Sequence, residues 1–174
     1  MGRKRQSFFY FKELTNFDQF AVFAYAILTI IMLLVMFLGR NDAKLFAMIM
    51  CAVVPQLSIY LFLYASLRNM TSYVIWFGFG LLHVVLYFLF KYASILPSED
   101  RDGSIIFLNT IILLWLFQIL RYLSFKMQKR EFVSPAKAHP KDLFDERSAT
   151  GTDYFIFVVY WGTFMGLTFL ALSH

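Results

Sequence analysis

Apolar residues run along this chain in five long blocks, near 20–38, 45–67, 73–95, 105–122 and 154–172, with charge and turn residues gathered between them. A hydrocarbon core about 30 Å thick needs a helix of about 20 residues, and soluble core helices seldom sustain such runs without charge. The pattern therefore predicts an all-α membrane protein: a bundle of five transmembrane helices over residues 20–174, preceded by a short interfacial segment over residues 1–19.

The connections read as turns. Gly39-Arg40-Asn41-Asp42 and Arg68-Asn69-Met70-Thr71-Ser72 carry residues that accept turn geometry or bond their own backbone, so the first three helices should fold as antiparallel hairpins. Pro97 should close the third helix, and Ser104 is an expected N-cap for the fourth. The stretch 123–153 is the only sizeable polar connection; Thr152 or Asp153 should cap the fifth helix. In residues 1–19 the rings of Phe8, Phe9, Tyr10, Phe11 and Phe17 share no helical face. That segment is expected at the bilayer interface, with docking onto a partner protein as the alternative.

Composition agrees with lipid as the solvent. Hydrophobic residues make up 60% of 174 and charged residues only 16%, and five spans leave no length for a folded extramembrane catalytic domain. The first block is long and lacks a small-residue cleavage pattern, so it reads as a retained span rather than a leader. Net charge is +5, and its placement decides more than its size. Arg3, Lys4, Arg5, Lys12 and Arg68, then Arg121, Lys126, Lys129, Arg130, Lys137, Lys141 and Arg147, fall on one side of the alternating crossings. The opposite side holds Arg40, Lys44 and Arg101, offset by Asp42, Glu99, Asp100 and Asp102. That is the positive-inside pattern of an N-in, C-out protein. Arg3, Lys4, Arg5, Lys126, Lys129 and Arg130 are expected on anionic lipid headgroups, and beside membrane spans this charge implies no nucleic acid. Bacterial inner membrane, endoplasmic reticulum and mitochondrial inner membrane share the same charge rule. Asn69-Met70-Thr71 matches a glycosylation acceptor but falls on the inner side, where it would go unused.

Polar groups inside the spans are the candidate chemistry, because lipid offers them no partner. Pro55-Gln56 falls mid-way along the second span, His83 mid-way along the third, Asn109 in the outer half of the fourth and Gln118 in its inner half. Gln56 and His83 lie at similar depth in a hairpin and can meet. Pro55 should kink its helix and free a carbonyl near Cys51. One reading makes Gln56, His83, Asn109 and Gln118 an interhelical network; the other makes Gln56, His83 and Gln118 a pathway. Lys91 should snorkel outward beside Tyr87 and Tyr92. Gly162 and Gly166 form a G-x-x-x-G face for close helix packing, and Gly78 and Gly80 offer a second thin surface. The spans as read contain no carboxylate. No catalytic residues and no metal site are expected: Cys51 is the single cysteine, and the spacing in His139-Pro140-Lys141-Asp142 with Asp145 and Glu146 matches no metal motif. No specific cofactor is implied.

Three functions follow in order: a non-catalytic structural or accessory subunit of a larger membrane complex, a small oligomeric pore or transporter, and a membrane enzyme or cofactor holder using His83. The expected partners are the bilayer, other membrane subunits or a second copy.

Overall fold

The computed structural model describes residues 8–92, 102–135 and 148–173. They form five α-helices, α1 Asn16–Leu38, α2 Asn41–Leu61, α3 Met70–Tyr92, α4 Ile106–Gln128 and α5 Gly151–Leu172, with 3-10 turns at Ser66–Arg68 and Asp102–Ile105. Among the described residues there is no strand, and all five helices are long and apolar enough to cross a membrane. At 1.5 Å per residue the 23-residue helices are about 35 Å long. Arg3, Lys4, Arg5, Pro97, the His139–Glu146 stretch and His174 lie outside the described residues.

The bundle is organised around α4, which packs against α2, α3 and α5, while α1 packs mainly on α2. One core cluster gathers Tyr60, Tyr64, Phe117, Phe132, Ile156 and Tyr160; the other gathers Met36, Met48, Phe90, Phe107 and Ala171. Large apolar side chains also cover the outside, among them Phe20, Phe23, Val85, Trp115, Val158 and Phe169.

Several boundaries differ from the sequence expectation, each for a local reason. α1 begins at Asn16 because Thr15 caps it: Asp18 N–H donates to the Thr15 hydroxyl at 3.2 Å, and Thr15 N–H donates to Asp18 Oδ2 at 2.9 Å. α5 starts at Gly151 with Thr150, not Thr152 or Asp153, as N-cap. Thr150 N–H donates to Asp153 Oδ2 at 2.7 Å. Both starts read Thr-x-x-Asp. Three carboxylates therefore do stand inside the described helices, Asp18, Asp42 and Asp153, all in first turns, where negative charge meets free N–H groups; Asp18 and Asp153 are buried and Asp42 is exposed. Ser104 does not cap α4. It lies in the preceding 3-10 turn, and Ile105 occupies the cap position without a side-chain bond.

α2 ends at Leu61, six residues before the apolar block does. The remaining apolar residues fold back across the bundle end, where Leu63, Tyr64 and Leu67 are buried. α4 runs six residues past its apolar block, to Gln128, because its buried face continues through Leu120, Arg121 and Ser124. It stops in a left-handed cap at Lys129 (φ 58°). The turn sends residues 131–134 back under the bundle. Phe132 is wholly buried, stacked on Tyr60 at 6.0 Å and edge-on to Phe117 at 5.3 Å. Part of the stretch assigned to a soluble connection is thus core.

Candidate functional site

Pro55 carries no N–H, so the carbonyl of Cys51 one turn earlier has no helical donor. The Tyr25 hydroxyl of α1 supplies one at 3.2 Å, and lies 2.7 Å from His83 Nε2 on α3. His83 Nδ1 is 2.8 Å from the Thr110 hydroxyl of α4, to which Gln56 Nε2 of α2 donates at 3.2 Å. Gln56 Nε2 also donates to the Ile106 carbonyl at 2.8 Å, and the Tyr160 hydroxyl of α5 donates to the Gln56 carbonyl at 3.1 Å. All five helices contribute to one buried assembly. It also joins the two core clusters, since Tyr25 belongs to one and Cys51 to the other.

Counting protons gives the chain a direction. Tyr25 has a single hydroxyl proton, and the Cys51 carbonyl can only accept, so that proton goes to Cys51. His83 must then donate from Nε2, which leaves Nδ1 of a neutral ring to accept from Thr110. Thr110 in turn accepts from Gln56. Every step is satisfied by a neutral ring of one tautomer, and the sequence ends on a carbonyl, which passes no proton onward. Gln56 and His83 are fully buried, Thr110 and Tyr25 nearly so, and the His83 ring packs edge-on against Phe107 at 5.3 Å. Gln56 Oε1 is buried without a partner.

The other expected polar residues lie elsewhere. Gln118 does not join Gln56 and His83. It lines a lateral groove of about 500 Å³ between the start of α3 and the end of α4, together with Phe8, Tyr73, Phe77, Trp115 and Tyr122. Both polar atoms of its amide are buried and lack a partner. Asn109 is 4% exposed, with an unpartnered Nδ2.

The glycines separate as well. A β-carbon on Gly80 would sit 3.1 Å from Leu114 Cδ1, so this glycine lets α3 approach α4. Gly78, Gly162 and Gly166 are exposed, with nothing within 4 Å of that position. Lys91 of α3 donates to the Tyr87 hydroxyl at 2.9 Å and lies over its ring. Lys126, Lys129 and Arg130 are exposed at the end of the bundle that also holds residues 8–12.

Sequence reasoning missed a second centre at that end. Arg121, counted as a flanking charge, is wholly buried within α4. It donates to Glu131 at 2.7 Å and to the Phe8 carbonyl at 2.7 Å, and its guanidinium lies 4.5 Å from the Phe8 ring centre. Residues 8–12 run over this end of the bundle. Met70 N–H donates to the Tyr10 carbonyl at 3.0 Å, Lys12 N–H donates to Asn69 Oδ1, and Asn69 Nδ2 donates back to the Lys12 carbonyl. Burial first, and then the Glu131 carboxylate, push the Tyr10 phenol above its ordinary value. Arg68 reaches the Phe132 carbonyl, and Ser66 binds Asp18. Asp153 accepts from Gln128 Nε2 at 3.0 Å and from Val133 N–H at 3.2 Å. The available signal was the spacing Phe117, Arg121, Ser124, which continues one helical face past the apolar block.

Among the described residues, no group of three or more His, Cys, Asp or Glu side chains converges to hold a metal. No protein-family model matches this chain, and no significant match was found among curated proteins or solved structures.

Proposed function

We propose that this chain is a polytopic integral membrane protein, N-terminus inside and C-terminus outside, acting as a non-catalytic structural or accessory subunit of a larger membrane complex. The observation that carries the subunit reading is the outer face of α5. Phe155, Val158, Gly162, Met165 and Phe169 recur there at spacings of three and four, all exposed. Gly162 and Gly166 leave a thin strip that none of the described helices occupies. Small residues at that spacing let two backbones approach closely, which drives helix association where lipid removes the hydrophobic term. The outward apolar side chains support embedding in lipid. The basic end, with Lys126, Lys129 and Arg130 exposed, supports contact with anionic headgroups on the inner side.

The pore reading has less support: Gln56 and His83 are consumed in bonds between helices, and Gln118 stands apart from them. The cofactor reading also weakens, because both ring nitrogens of His83 already have partners.

The test is affinity purification in mild detergent, comparing the parent with Gly162→Ile/Gly166→Ile. The parent should bring down other membrane proteins. The double variant should lose them while keeping its helicity and thermal unfolding, because both positions open onto free space. A parent chain that runs in native mass measurement as a lone homo-oligomer would overturn the subunit reading and favour the pore.

A further inference from the structure

The end of α4 gathers positive charge that its surroundings do not balance. Lys126 stands in the last turn, Lys129 in the left-handed cap and Arg130 just beyond it, all three exposed. Residues three and four apart on a helix are neighbours, so like charges here repel one another. The carboxylates close by serve other groups. Glu131 turns inward to Arg121 at 2.7 Å, and buried Asp153 accepts from Gln128 and Val133. Among the described residues, no side chain forms an ion pair with any of the three cations.

The backbone supplies a second, independent observation. Among the described residues Lys129 alone combines a side chain with positive φ, at 58°. Glycine takes that conformation at less cost, so a lysine there costs stability and keeps a charge. The helix dipole does not require it, because Lys126 already stands in the last turn beside the free carbonyls. The turn is also held firmly. Lys129 N–H donates to the Phe125 carbonyl at 3.1 Å, and the Ser124 hydroxyl donates to the Arg130 carbonyl at 2.9 Å.

Depth follows from the same face of α4. Trp115, Ile119 and Tyr122 are exposed at spacings of four and three, and Lys126 and Lys129 continue that series. Polarity changes between Tyr122 and Lys126, about 6 Å along the axis, which sets the cations at the phosphate level of a bilayer.

We infer that this turn binds a membrane lipid whose headgroup is a phosphate monoester. Such a headgroup carries close to two negative charges at neutral pH and presents three acceptor oxygens, one for each cation. A phosphate diester brings a single charge and leaves part of the cluster unmatched. Cations already held together by a fixed turn lose little freedom on binding. The inference rests on the headgroup contact proposed above and names its chemistry. It does not depend on the subunit role of the α5 surface.

The test is native mass measurement of the full chain in detergent, titrated with dioleoyl phosphatidic acid or dioleoyl phosphatidylglycerol. The two lipids share their chains and differ only in the headgroup. Phosphatidic acid should bind the parent roughly tenfold more tightly. Lys129→Gly should weaken that binding about fivefold, the share of one cation near an anionic surface. The same variant should unfold in lipid-free detergent at a temperature no lower than the parent's, a split that a purely structural lysine would not give. Lys126→Gln/Lys129→Gly should bind the two lipids alike. Glycerol phosphate, the same headgroup without chains, should not compete even in large excess. Equal affinity of the parent for both lipids would overturn the inference and leave the general anionic contact standing. Binding no stronger than that of phosphatidylcholine would overturn both. Competition by glycerol phosphate would overturn the lipid assignment in favour of a soluble phosphate ester.

Discussion

At the scale of single residues, Pro55 has the widest consequences. It leaves the Cys51 carbonyl without a helical partner, and the tyrosine that answers it also fixes the tautomer of His83. That dependence predicts coupling. Tyr25→Phe should destabilise the protein in detergent by about 1 to 2 kcal/mol, the range for buried interhelical hydrogen bonds in membrane proteins. In a Pro55→Ala background the restored N–H at position 55 takes the Cys51 carbonyl, so the same substitution should cost about 0.5 kcal/mol less or better. Unfolding measured on the four proteins of the cycle checks this, and additive costs would refute it. The sequence exposed Gln56 and His83 because amide and imidazole groups stand out in an apolar run. It hid Tyr25, Thr110 and Tyr160, because tyrosine and threonine are unremarkable in a span until a partner is known. The orphan carbonyl was itself a clue that some hydroxyl had to come.

At the scale of elements, helix ends were decided by caps and by folded-back segments. Thr15 and Thr150 set the starts of α1 and α5, and both Thr-x-x-Asp signatures were present in the sequence. The end of α2 and the plug at Phe132 were not legible. Apolar content alone does not separate a helix from a strap that covers a bundle end. Arg121 holds the start of the strap of residues 8–12, through the Phe8 carbonyl and ring. Replacing it with Met removes the cation facing the half-buried Glu131 carboxylate and the donor to the Phe8 carbonyl. The expected cost is about 3 kcal/mol. The strap should loosen before the bundle does. A cysteine placed at Phe9, which is exposed, should report this: mobile by spin-label spectroscopy in Arg121→Met and restrained in the parent. Equal mobility in both proteins would remove Arg121 from this role.

At the scale of the whole molecule, the residue and element contacts converge on a polarised object. Residues 8–12, the 66–70 turn, the end of α4, residues 131–135 and the start of α5 are tied together at one end of the bundle by hydrogen bonds. The start of α2, the end of α3 and the 3-10 turn before α4 belong to the other end. With the basic end inside, as proposed, reporters fused at residue 1 or inserted near Lys137 should register one side of the membrane. Reporters at Asp100 or at the C-terminus should register the other. Two termini on the same side would contradict both the charge reading and a bundle of five crossings.

Some properties are written along the chain in one dimension, and those were available from the sequence: how many helices, roughly where, and how apolar. Each follows from a run of residues measured against the fixed thickness of hydrocarbon, with no reference to neighbours. Tertiary structure alone decided the rest, because it depends on how each helix is rotated about its axis and on contacts between distant segments. Gly80 meets Leu114 while Gly78 and Gly162 face outward, Gln118 parts from Gln56, and Arg121 reaches Phe8 across 113 positions of sequence. A rotation of one residue, about 100°, would exchange an inward side chain for an outward one while leaving every apolar run as it was.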